Sequence, residues 1–209
     1  MADRRPNRRR FVTAELGPGV GYKLMSGLVV PRPIGWIGTR GTDGRNNLAP
    51  YSFFNGVSSS PPIVIFSPVQ QPSGRKDSLA NARETGVFTV NIVDHAHVEP
   101  MNASAATVAA EVDEFELVGL EVEESDLIDA PKVASAPATM ECEVVKLVDL
   151  TDVGSDAVTV FGRVLAIDVD ERILVGEHRV DQAGLDAVGR HVGSTYSRTR
   201  ELFDIDRPG

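Results

Sequence analysis

Residue types that support common catalytic or metal chemistry are few and scattered in this chain. His95 and His97 lie two positions apart, so they would share one face if the strand before them continued through both. A metal site would need a third ligand, and Cys142, His178 and His191 are isolated candidates. Two histidines that end a strand near solvent explain the pair more simply, and we therefore predict no metal site.

Cys142 is the one cysteine, and it lies in the strand-like sequence MECEVV, where Met140, Cys142 and Val144 share a face. A nucleophilic thiol is one interpretation, and a small buried side chain is the one we favour. The chain has no Walker loop, CxxC pair, HExxH or GxSxG motif. The glycines at 17–21 have the wrong spacing for a GxGxxG fingerprint.

An uncharged stretch followed by a short charged cluster indicates a different kind of site. Residues 46–74 carry no charge and are rich in Pro, Ser, Asn and Gln, which suits a pocket lining. A flat aromatic ligand needs apolar walls with backbone donors and acceptors, and this stretch offers both. A phosphate needs a cation and hydroxyl or amide donors at a helix start, which Lys76 and Ser78 provide. The arrangement fits flavin mononucleotide (FMN).

The elements that must position these residues are mostly strands. Asp43-Gly44 lies between the strand-like runs Ile34–Arg40 and Asn47–Phe54, which predicts a tight hairpin. Further strands are predicted over Ile63–Ser67, Val87–Val93, Met140–Val148 and Ala157–Val169, the last with a bulge at Gly162. Helices are predicted over Lys76–Gly86 and Glu99–Ala110. Because strands follow one another, an antiparallel sheet or barrel is expected rather than a doubly wound parallel sheet.

Composition bounds the class of protein. A chain of 209 residues with 42% hydrophobic and 24% charged side chains suits one globular domain. The net charge of −9 argues against nucleic-acid binding, and a single cysteine favours a cytoplasmic protein without a disulfide. No apolar run follows the N-terminal arginines as in a signal peptide, and the prolines of residues 46–74 argue against a membrane helix.

Two charged segments are expected to be solvated. Residues 1–14 form a basic arm, which we predict to be disordered, while residues 15–209 form the domain with its C-terminal extension. Contact with a nucleic acid or an acidic partner is the alternative for the arm. The segment Glu111–Asp129 holds nine acidic and no basic residues, and it lacks the alternating ligands and glycine of a calcium loop.

Several stretches of the sequence together resemble one protein family. They are PRPIGWIGT, NLAPYSFFNGVSSSPP, RKDSLANARETGVFTVNI, DEFELVGL, MECEV and VGRHVGSTYSR, and they cover most of the chain from about Gly21 to Arg198. Their order and spacing are similar to those of the flavin reductase-like family, the FMN-binding split-barrel proteins. The resemblance implies a six-stranded antiparallel Greek-key (split) β-barrel with peripheral helices. It also implies a homodimer with FMN in a cleft at or near the subunit interface.

The resemblance also implies which residues bind the cofactor. The flavin ring and its ribityl chain would be lined by Thr39, Asn47, Leu48, Ala49, Pro50, Ser52, Phe53, Phe54 and Asn55. The phosphate would be held by Arg75, Lys76 and Ser78, with Asp77 in the same cluster. Arg190 is a candidate for a cofactor phosphate.

Members of this family commonly oxidise NADH or NADPH, pass hydride to the flavin and often deliver reduced flavin to a partner monooxygenase. Hydride transfer to flavin needs no protein acid or nucleophile, which agrees with the absence of a catalytic triad from the sequence. His191 and Tyr196 are candidates to contact nicotinamide or to close over the flavin. A structural role at a dimer interface is the alternative for Arg190, His191 and Tyr196.

Three functions remain open from the sequence. The first is an FMN-dependent NAD(P)H oxidoreductase, which the uncharged segment and the cluster after it favour. The second is a non-catalytic FMN-binding or electron-carrier protein of the same fold. The third is a dimeric scaffold with a vestigial pocket.

Overall fold

The structure is a computed structural model that describes residues 8–69, 77–109 and 111–208. The first seven residues of the predicted basic arm therefore lie outside the described residues. The α-helices are α1 (Val20–Leu28), α2 (Asp77–Thr85), α3 (Val98–Ala103), α4 (Glu114–Val118) and α5 (Gln182–Leu185). Short 3₁₀ turns cover Thr13–Glu15, His95–His97, Thr151–Val153 and Glu171–Ile173.

Strands dominate the fold, as the sequence predicts. The strands are β1 (Arg32–Pro33), β2 (Gly35–Arg40), β3 (Asn46–Tyr51), β4 (Phe54–Ser59), β5 (Pro62–Phe66), β6 (Val87–Ile92), β7 (Val122–Glu124), β8 (Pro131–Val133), β9 (Ala138–Asp149), β10 (Val158–Val169), β11 (Leu174–Val175), β12 (Arg179–Val180), β13 (Val188–Arg190) and β14 (Tyr196–Arg198). Among the described residues, the principal sheet has seven antiparallel strands in the order β3-β2-β6-β9-β10-β5-β4. The predicted antiparallel sheet is confirmed, whereas a closed six-stranded Greek-key barrel is not found in this part of the chain.

Chain connectivity forces this sheet to curl. β3 and β4 are its two edge strands, yet only Ser52 and Phe53 separate them in sequence. A flat seven-stranded sheet would hold its edges about 29 Å apart, at about 4.8 Å per strand. The three Cα–Cα steps from Tyr51 to Phe54 reach at most about 11 Å. The sheet must therefore roll until its edges approach each other at Ser52–Phe53, although no pairing of β3 with β4 closes it within the described residues.

Two hydrophobic cores lie on opposite faces of the sheet. Side chains alternate along a strand, so Trp36 and Ile37 of β2 enter different cores. The first core contains Ile37, Phe66 and Phe88, and α2 adds Leu79 and Ala82 to it. The second core contains Ile34, Trp36, Leu48, Val93 and Val188, and α3 and α4 add Met101 and Phe115. The helices thus cover the sheet with the apolar side chains that their short amphipathic sequences provide.

Local sequence signals explain several elements. The hairpin predicted at Asp43-Gly44 is confirmed, and Gly44 adopts a φ of 82°, a conformation that glycine tolerates at little cost. The helix predicted over 76–86 is confirmed as α2, which ends before Gly86. The bulge predicted at Gly162 is confirmed by a shift of the β9–β10 register between Phe161 and Gly162.

Other sequence-based expectations differ from the structure. The helix predicted over Glu99–Ala110 is the shorter α3, which ends at Ala103, where the Ser104 hydroxyl donates to Met101 O and accepts from the Trp36 indole. His95 and His97 do not continue a strand, because β6 ends at Ile92 and both residues lie in a 3₁₀ turn. No helix among the described residues is long and apolar enough to cross a membrane.

A small sheet brings distant parts of the chain together. β1 pairs with β13, and β13 pairs with β14, so Arg32 lies opposite Arg190 and Arg190 lies opposite Tyr196. This three-stranded sheet places the C-terminal hairpin, residues 188–198, against the segment that leads from α1 into β2.

Candidate functional site

A buried hydrogen-bond network joins two parts of the predicted cofactor site. The Ser78 hydroxyl in α2 donates to Asn47 Oδ1 of β3 at 2.7 Å. The Thr39 hydroxyl in β2 donates to the same oxygen at 3.3 Å. Thr39 is 0%, Ser78 1% and Asn47 8% exposed, so these groups exchange hydrogen bonds with each other rather than with bulk water. The structure therefore brings the Thr39–Asn47 region and the start of α2 into direct contact.

Three further side chains complete this network. The Tyr51 hydroxyl donates to Ser78 Oγ at 3.1 Å, and Asn81 Nδ2 donates to Thr39 Oγ1 at 3.1 Å. Burial raises the pKa of Tyr51 to about 12, so its phenol is protonated at neutral pH and available as a donor. A carboxylate oxygen of Glu114 in α4 accepts from Asn47 Nδ2 at 2.9 Å and from the Leu48 amide at 3.0 Å.

Glu114 corrects the expectation that the acidic segment Glu111–Asp129 is uniformly solvated. This side chain is 5% exposed, and burial raises the pKa of its carboxyl group. The hydrogen bonds from Leu48 and Asn47 oppose that rise, because they favour the ionised form. Glu124 and Asp129 of the same segment form ion pairs with Arg40 of β2. The segment therefore holds the sheet through specific contacts as well as facing water.

The start of α2 is partly outside the described residues. Arg75 and Lys76, the predicted cations of the phosphate cluster, belong to the segment 70–76 that is not described. Asp77 opens α2 and lines a recess of about 120 Å³. The other residues that line this recess are Gly41, Asp43, Arg45, Asn46, Asn47, Asn81 and Val112. The roles of Arg75, Lys76, Asp77 and Ser78 in phosphate binding stay predictions.

A second cluster lies at the other end of β3 and is organised by Arg32. This guanidinium is 5% exposed and donates to Ser26 O at 2.6 Å and to Val29 O at 3.0 Å, at the end of α1. It also donates to Ser52 Oγ at 3.3 Å and to His191 O at 2.9 Å. Arg32 therefore connects the predicted flavin residue Ser52 with the predicted catalytic residue His191.

The C-terminal hairpin holds its candidate residues in one arrangement. The Arg190 guanidinium lies over the Tyr196 ring, 4.5 Å from the centroid, and donates to the Tyr196 hydroxyl and to Gly193 O. The His191 ring is hydrogen-bonded to Ser197 Oγ at 2.9 Å. The structure thus places Arg190, His191 and Tyr196 side by side, and their contacts with a nucleotide stay predictions.

The remaining predicted flavin residues follow β3 toward the gap between the sheet edges. Leu48 is fully buried in the second core, and Ala49 packs against the first. Pro50 and Phe53 are half-buried, and the Phe53 ring meets Tyr22 of α1 edge-on with centroids 6.5 Å apart. The Phe54 ring lies against Gly35, and Asn55 is exposed. From Asn47 to Ser52 the chain covers about 17 Å along an extended strand, so the predicted site is elongated.

Two charged residues at these clusters, Arg32 and Glu114, were not predicted from the sequence. Arg32 stands between Pro31 and Pro33 directly before a buried strand, and a charge in that context could have indicated a buried guanidinium. Glu114 follows Asp113, which caps α4 by accepting from the Phe115 amide at 2.8 Å. An acidic residue in the first turn of an amphipathic helix could have indicated a specific role for Glu114. The neighbouring carboxylates made it resemble the rest of the acidic segment.

The other candidates have contacts that explain them without a ligand. The His97 ring is hydrogen-bonded to Asp94 at 2.6 Å and to Ser135 at 2.9 Å. Within the described ranges, no group of three or more His, Cys, Asp or Glu residues is arranged to hold a metal ion. Cys142 is fully buried in the first core, and burial raises the pKa of its thiol to about 12. The interpretation of Cys142 as a buried structural thiol is confirmed.

The raised pKa of Cys142 predicts a loss of stability at alkaline pH. The thiol stays protonated in the folded state up to about pH 12, whereas in the unfolded chain it ionises near pH 8.5. Its contribution to stability is therefore present below pH ~8.5 and is lost as the pH rises, by about 1.4 kcal/mol at pH 9.5. Urea denaturation from pH 7.5 to 9.5 should show this slope, and Cys142→Ala should remove it. An equal slope in both proteins would assign the effect to other groups.

Comparison with known proteins gives one consistent result. The model of the flavin reductase like domain matches residues 25–182. An uncharacterized protein of Deinococcus radiodurans is 40% identical over 194 residues, which are 89% of this chain and 84% of that protein. An uncharacterized protein of Aquifex aeolicus is 37% identical over 187 residues, 89% of this chain and 93% of that protein.

Solved structures agree with the domain match. Nitrilotriacetate monooxygenase component B from Bacillus cereus superimposes with a TM-score of 0.92 at 31% identity, covering 96% of this chain and 100% of that one. The 2-nitrobenzoate 2-nitroreductase of Pseudomonas fluorescens gives a TM-score of 0.86 at 30% identity, covering 96% of both chains. A structure with a split-barrel domain from Shewanella frigidimarina, at 20% identity and a TM-score of 0.84, supports the fold.

The domain match spans the Thr39–Asn47–Ser78 network, Arg32 and Glu114, although it ends before the hairpin that carries His191. A match over this much of the chain, together with relatives at 31–40% identity, agrees with the rolled antiparallel sheet. The resemblance inferred from the sequence is confirmed, and this chain belongs to the flavin reductase like domain family.

Proposed function

We propose that this protein is an FMN-dependent oxidoreductase that takes hydride from NADH or NADPH and passes electrons to an acceptor or a partner monooxygenase. The observation that carries the proposal is the likeness to nitrilotriacetate monooxygenase component B along nearly the whole of both chains. Bound FMN would supply the hydride acceptor and donor. The protein would supply position, exclusion of water and polar contacts.

The described residues fit such a cofactor. An elongated ligand with a flat ring needs a long strand with backbone donors, and β3 with the link at Ser52–Phe53 provides one. Half-buried Phe53 and exposed Tyr22 offer aromatic surface at the ring end. At the other end, Asn47 and Asn81 offer carboxamide groups to the recess.

The C-terminal hairpin supports the proposed contact with the electron donor. Arg32 fixes the His191 backbone and the Ser52 hydroxyl through one guanidinium. This linkage would hold the Arg190, His191 and Tyr196 side chains near the flavin end of β3. We propose that Arg190 meets a phosphate of the nucleotide and that His191 and Tyr196 contact its nicotinamide.

Assembly and location are further parts of the proposal. We propose a cytoplasmic homodimer, and the apolar surface of α1 supports the dimer, since Tyr22 is 58%, Met25 47% and Leu28 81% exposed. Light scattering after size-exclusion chromatography would measure the mass of the assembly. A mass equal to that of one 22.5 kDa chain would contradict the dimer.

The test is the anaerobic reduction of bound flavin. Purified protein is loaded with FMN, NADH or NADPH is added without oxygen, and the flavin absorbance is followed. Bleaching of the bound flavin by one of the two nucleotides supports the oxidoreductase. Tight FMN binding with reduction by dithionite alone would identify an electron carrier, and failure to quench FMN fluorescence would favour a scaffold.

The acceptor can be tested in the same assay. The similarity to a 2-nitrobenzoate 2-nitroreductase suggests a nitroaromatic acid, and the similarity to a monooxygenase component suggests a partner oxygenase. Reoxidation by 2-nitrobenzoate without oxygen would support the first. Release of reduced flavin, measured by transfer to cytochrome c through a dialysis membrane, would support the second.

Lys76→Ala is expected to weaken FMN binding. Loss of one charge-assisted contact with the phosphate costs about 1.5–3 kcal/mol, which corresponds to roughly a tenfold to hundredfold increase in Kd. Fluorescence quenching of FMN measures this change. Lys146→Ala, at an exposed position of β9, is the matched control and should bind FMN like the wild type. Equal Kd values for the two variants would remove Lys76 from the site.

A further inference from the structure

Glu114 is a buried carboxylate whose contacts lead to a predicted flavin residue. One of its oxygens, Oε2, accepts from both Asn47 Nδ2 and the Leu48 amide, at 2.9 and 3.0 Å. The side chain is 5% exposed and begins a helix that packs on β3. A buried carboxylate is costly unless it is fully hydrogen-bonded, so its place beside β3 calls for an explanation.

The Glu114 carboxylate determines which group donates and which accepts in each hydrogen bond of the network. Oε2 of Glu114 accepts from the Leu48 amide and from the Asn47 nitrogen, so the Asn47 carboxamide turns its nitrogen toward Glu114. Asn47 Oδ1 then faces Thr39 and Ser78, and both hydroxyls donate to it. With their protons committed, Thr39 and Ser78 accept from Asn81 and Tyr51. The donor and acceptor of each hydrogen bond in this series are therefore determined by the bond before it.

We propose that Glu114 is a positioning residue of the flavin site, which acts through Asn47. The inference rests on the proposed function, because it assigns Glu114 a task at the flavin-binding wall. Asn47 lines the recess beside α2, and a carboxamide nitrogen carries two hydrogens. One of these hydrogens is bonded to Glu114, and this bond fixes the orientation of the carboxamide. The second hydrogen is then directed at an acceptor atom of the ligand. Without the carboxylate the amide can rotate by half a turn and present its oxygen instead.

Substitutions at position 114 distinguish the effect of the Glu114 oxygen on the orientation of Asn47 from the effect of its negative charge. Glu114→Gln keeps an oxygen that can accept from the Leu48 amide and Asn47, so its Kd for FMN should stay within about threefold of the wild type. Glu114→Ala removes the acceptor and should raise the Kd about tenfold or more. Glu116→Gln, at an exposed position of the same helix, is the control and should change nothing. An unchanged Kd in folded Glu114→Ala, or an equal loss in Glu114→Gln, would overturn the proposal.

A double-mutant cycle tests whether Glu114 acts through Asn47. If it does, adding Glu114→Ala to Asn47→Ala should raise the Kd for FMN by less than about twofold, since the group that Glu114 orients is already gone. Fully additive losses would mean that Glu114 affects the site independently of Asn47, which contradicts the proposal. Urea denaturation of each variant verifies that the binding assay is performed on folded protein.

Nuclear magnetic resonance of the flavin-free protein gives a readout that does not depend on binding. The side-chain amide signals of Asn47, identified by their loss in Asn47→Asp, should be widely separated in the wild type and in Glu114→Gln. In Glu114→Ala, where the amide can rotate, the two signals should lie closer to each other. If the wild type binds no FMN, the proposed function fails, whereas unchanged Asn47 signals in Glu114→Ala would overturn the positioning role itself.

Discussion

Replacing Lys132 with alanine is expected to lower the free energy of unfolding by about 3–5 kcal/mol, because it leaves buried charge without a partner. The Lys132 side chain is 2% exposed, and its ammonium lies 2.8 Å from Asp168, 2.9 Å from Glu123 and 3.7 Å from Glu141. Glu141 is 1% exposed and accepts from the Asp126 amide at 2.9 Å. Burial alone would lower the pKa of Lys132, but the hydrogen bonds with Asp168 and Glu123 raise it above its ordinary value.

Urea denaturation followed by the fluorescence of Trp36, the one tryptophan, measures this loss. Arg163→Ala is the matched control, because Arg163 pairs with Glu143 at 3.0 Å with side chains 49% and 41% exposed. A surface pair of this kind contributes at most about 1 kcal/mol. Adding Glu141→Gln to Lys132→Ala should restore part of the stability. A Lys132→Ala protein no less stable than Arg163→Ala would show that the ion pairs of Lys132 do not stabilise β8.

Replacing Trp36 with alanine is expected to cost about 3–5 kcal/mol of stability, since it empties the centre of the second core. The side chain is fully buried, and its Nε1 donates to Ser104 Oγ at 2.9 Å. The indole therefore joins β2 to the end of α3 through packing and through a buried hydrogen bond. Far-UV circular dichroism during urea denaturation measures the change, because the variant has no tryptophan fluorescence.

Two variants calibrate the Trp36 result. Trp36→Phe keeps an aromatic ring and loses the donor to Ser104, so it should destabilise the protein less than the alanine variant. Phe203→Ala removes an aromatic side chain that is 81% exposed and should change stability by less than about 0.5 kcal/mol. If Trp36→Ala and Phe203→Ala had similar effects, the second core would contribute little to stability.

The parts of the fold that the sequence could predict are those governed by local rules. Asp43-Gly44 marks a hairpin because the turn needs a residue that tolerates positive φ. Gly86 ends α2 for the same reason, with a φ of 75°. The alternation in β9 and β10 places side chains on two faces whatever the partner strands are.

The parts that could not be predicted depend on contacts between distant segments. β1 is two residues long and exists because Arg32 lies opposite Arg190, far along the chain. The helix predicted over Glu99–Ala110 stops at Ala103, where Ser104 accepts from Trp36. No periodicity in either segment contains that information, since the competing interaction comes from another element.

Some residues of the candidate site could likewise be predicted from the sequence, and others could not. The family resemblance implies Thr39 and Asn47, the needs of a phosphate also indicate Ser78, and the structure joins all three in one network. Glu114 and Arg32 carry charges that composition assigns to the surface, and both are buried because their hydrogen bonds are satisfied inside the protein. Burial of a paired charge is a tertiary property, so the sequence alone assigned Glu114 to water.

The exposed edge strand β4 determines how this protein can associate with others. Five of its six residues face water, its register with β5 shifts between Gly56 and Ser58, and Pro61 and Pro62 follow after Ser60. Glycine, serine and a bulge disrupt the regular row of amide and carbonyl groups that an incoming strand would need. Concentrated solutions of this protein should therefore resist growth into fibrils at this edge, and any assembly at β4 must use side-chain contacts instead.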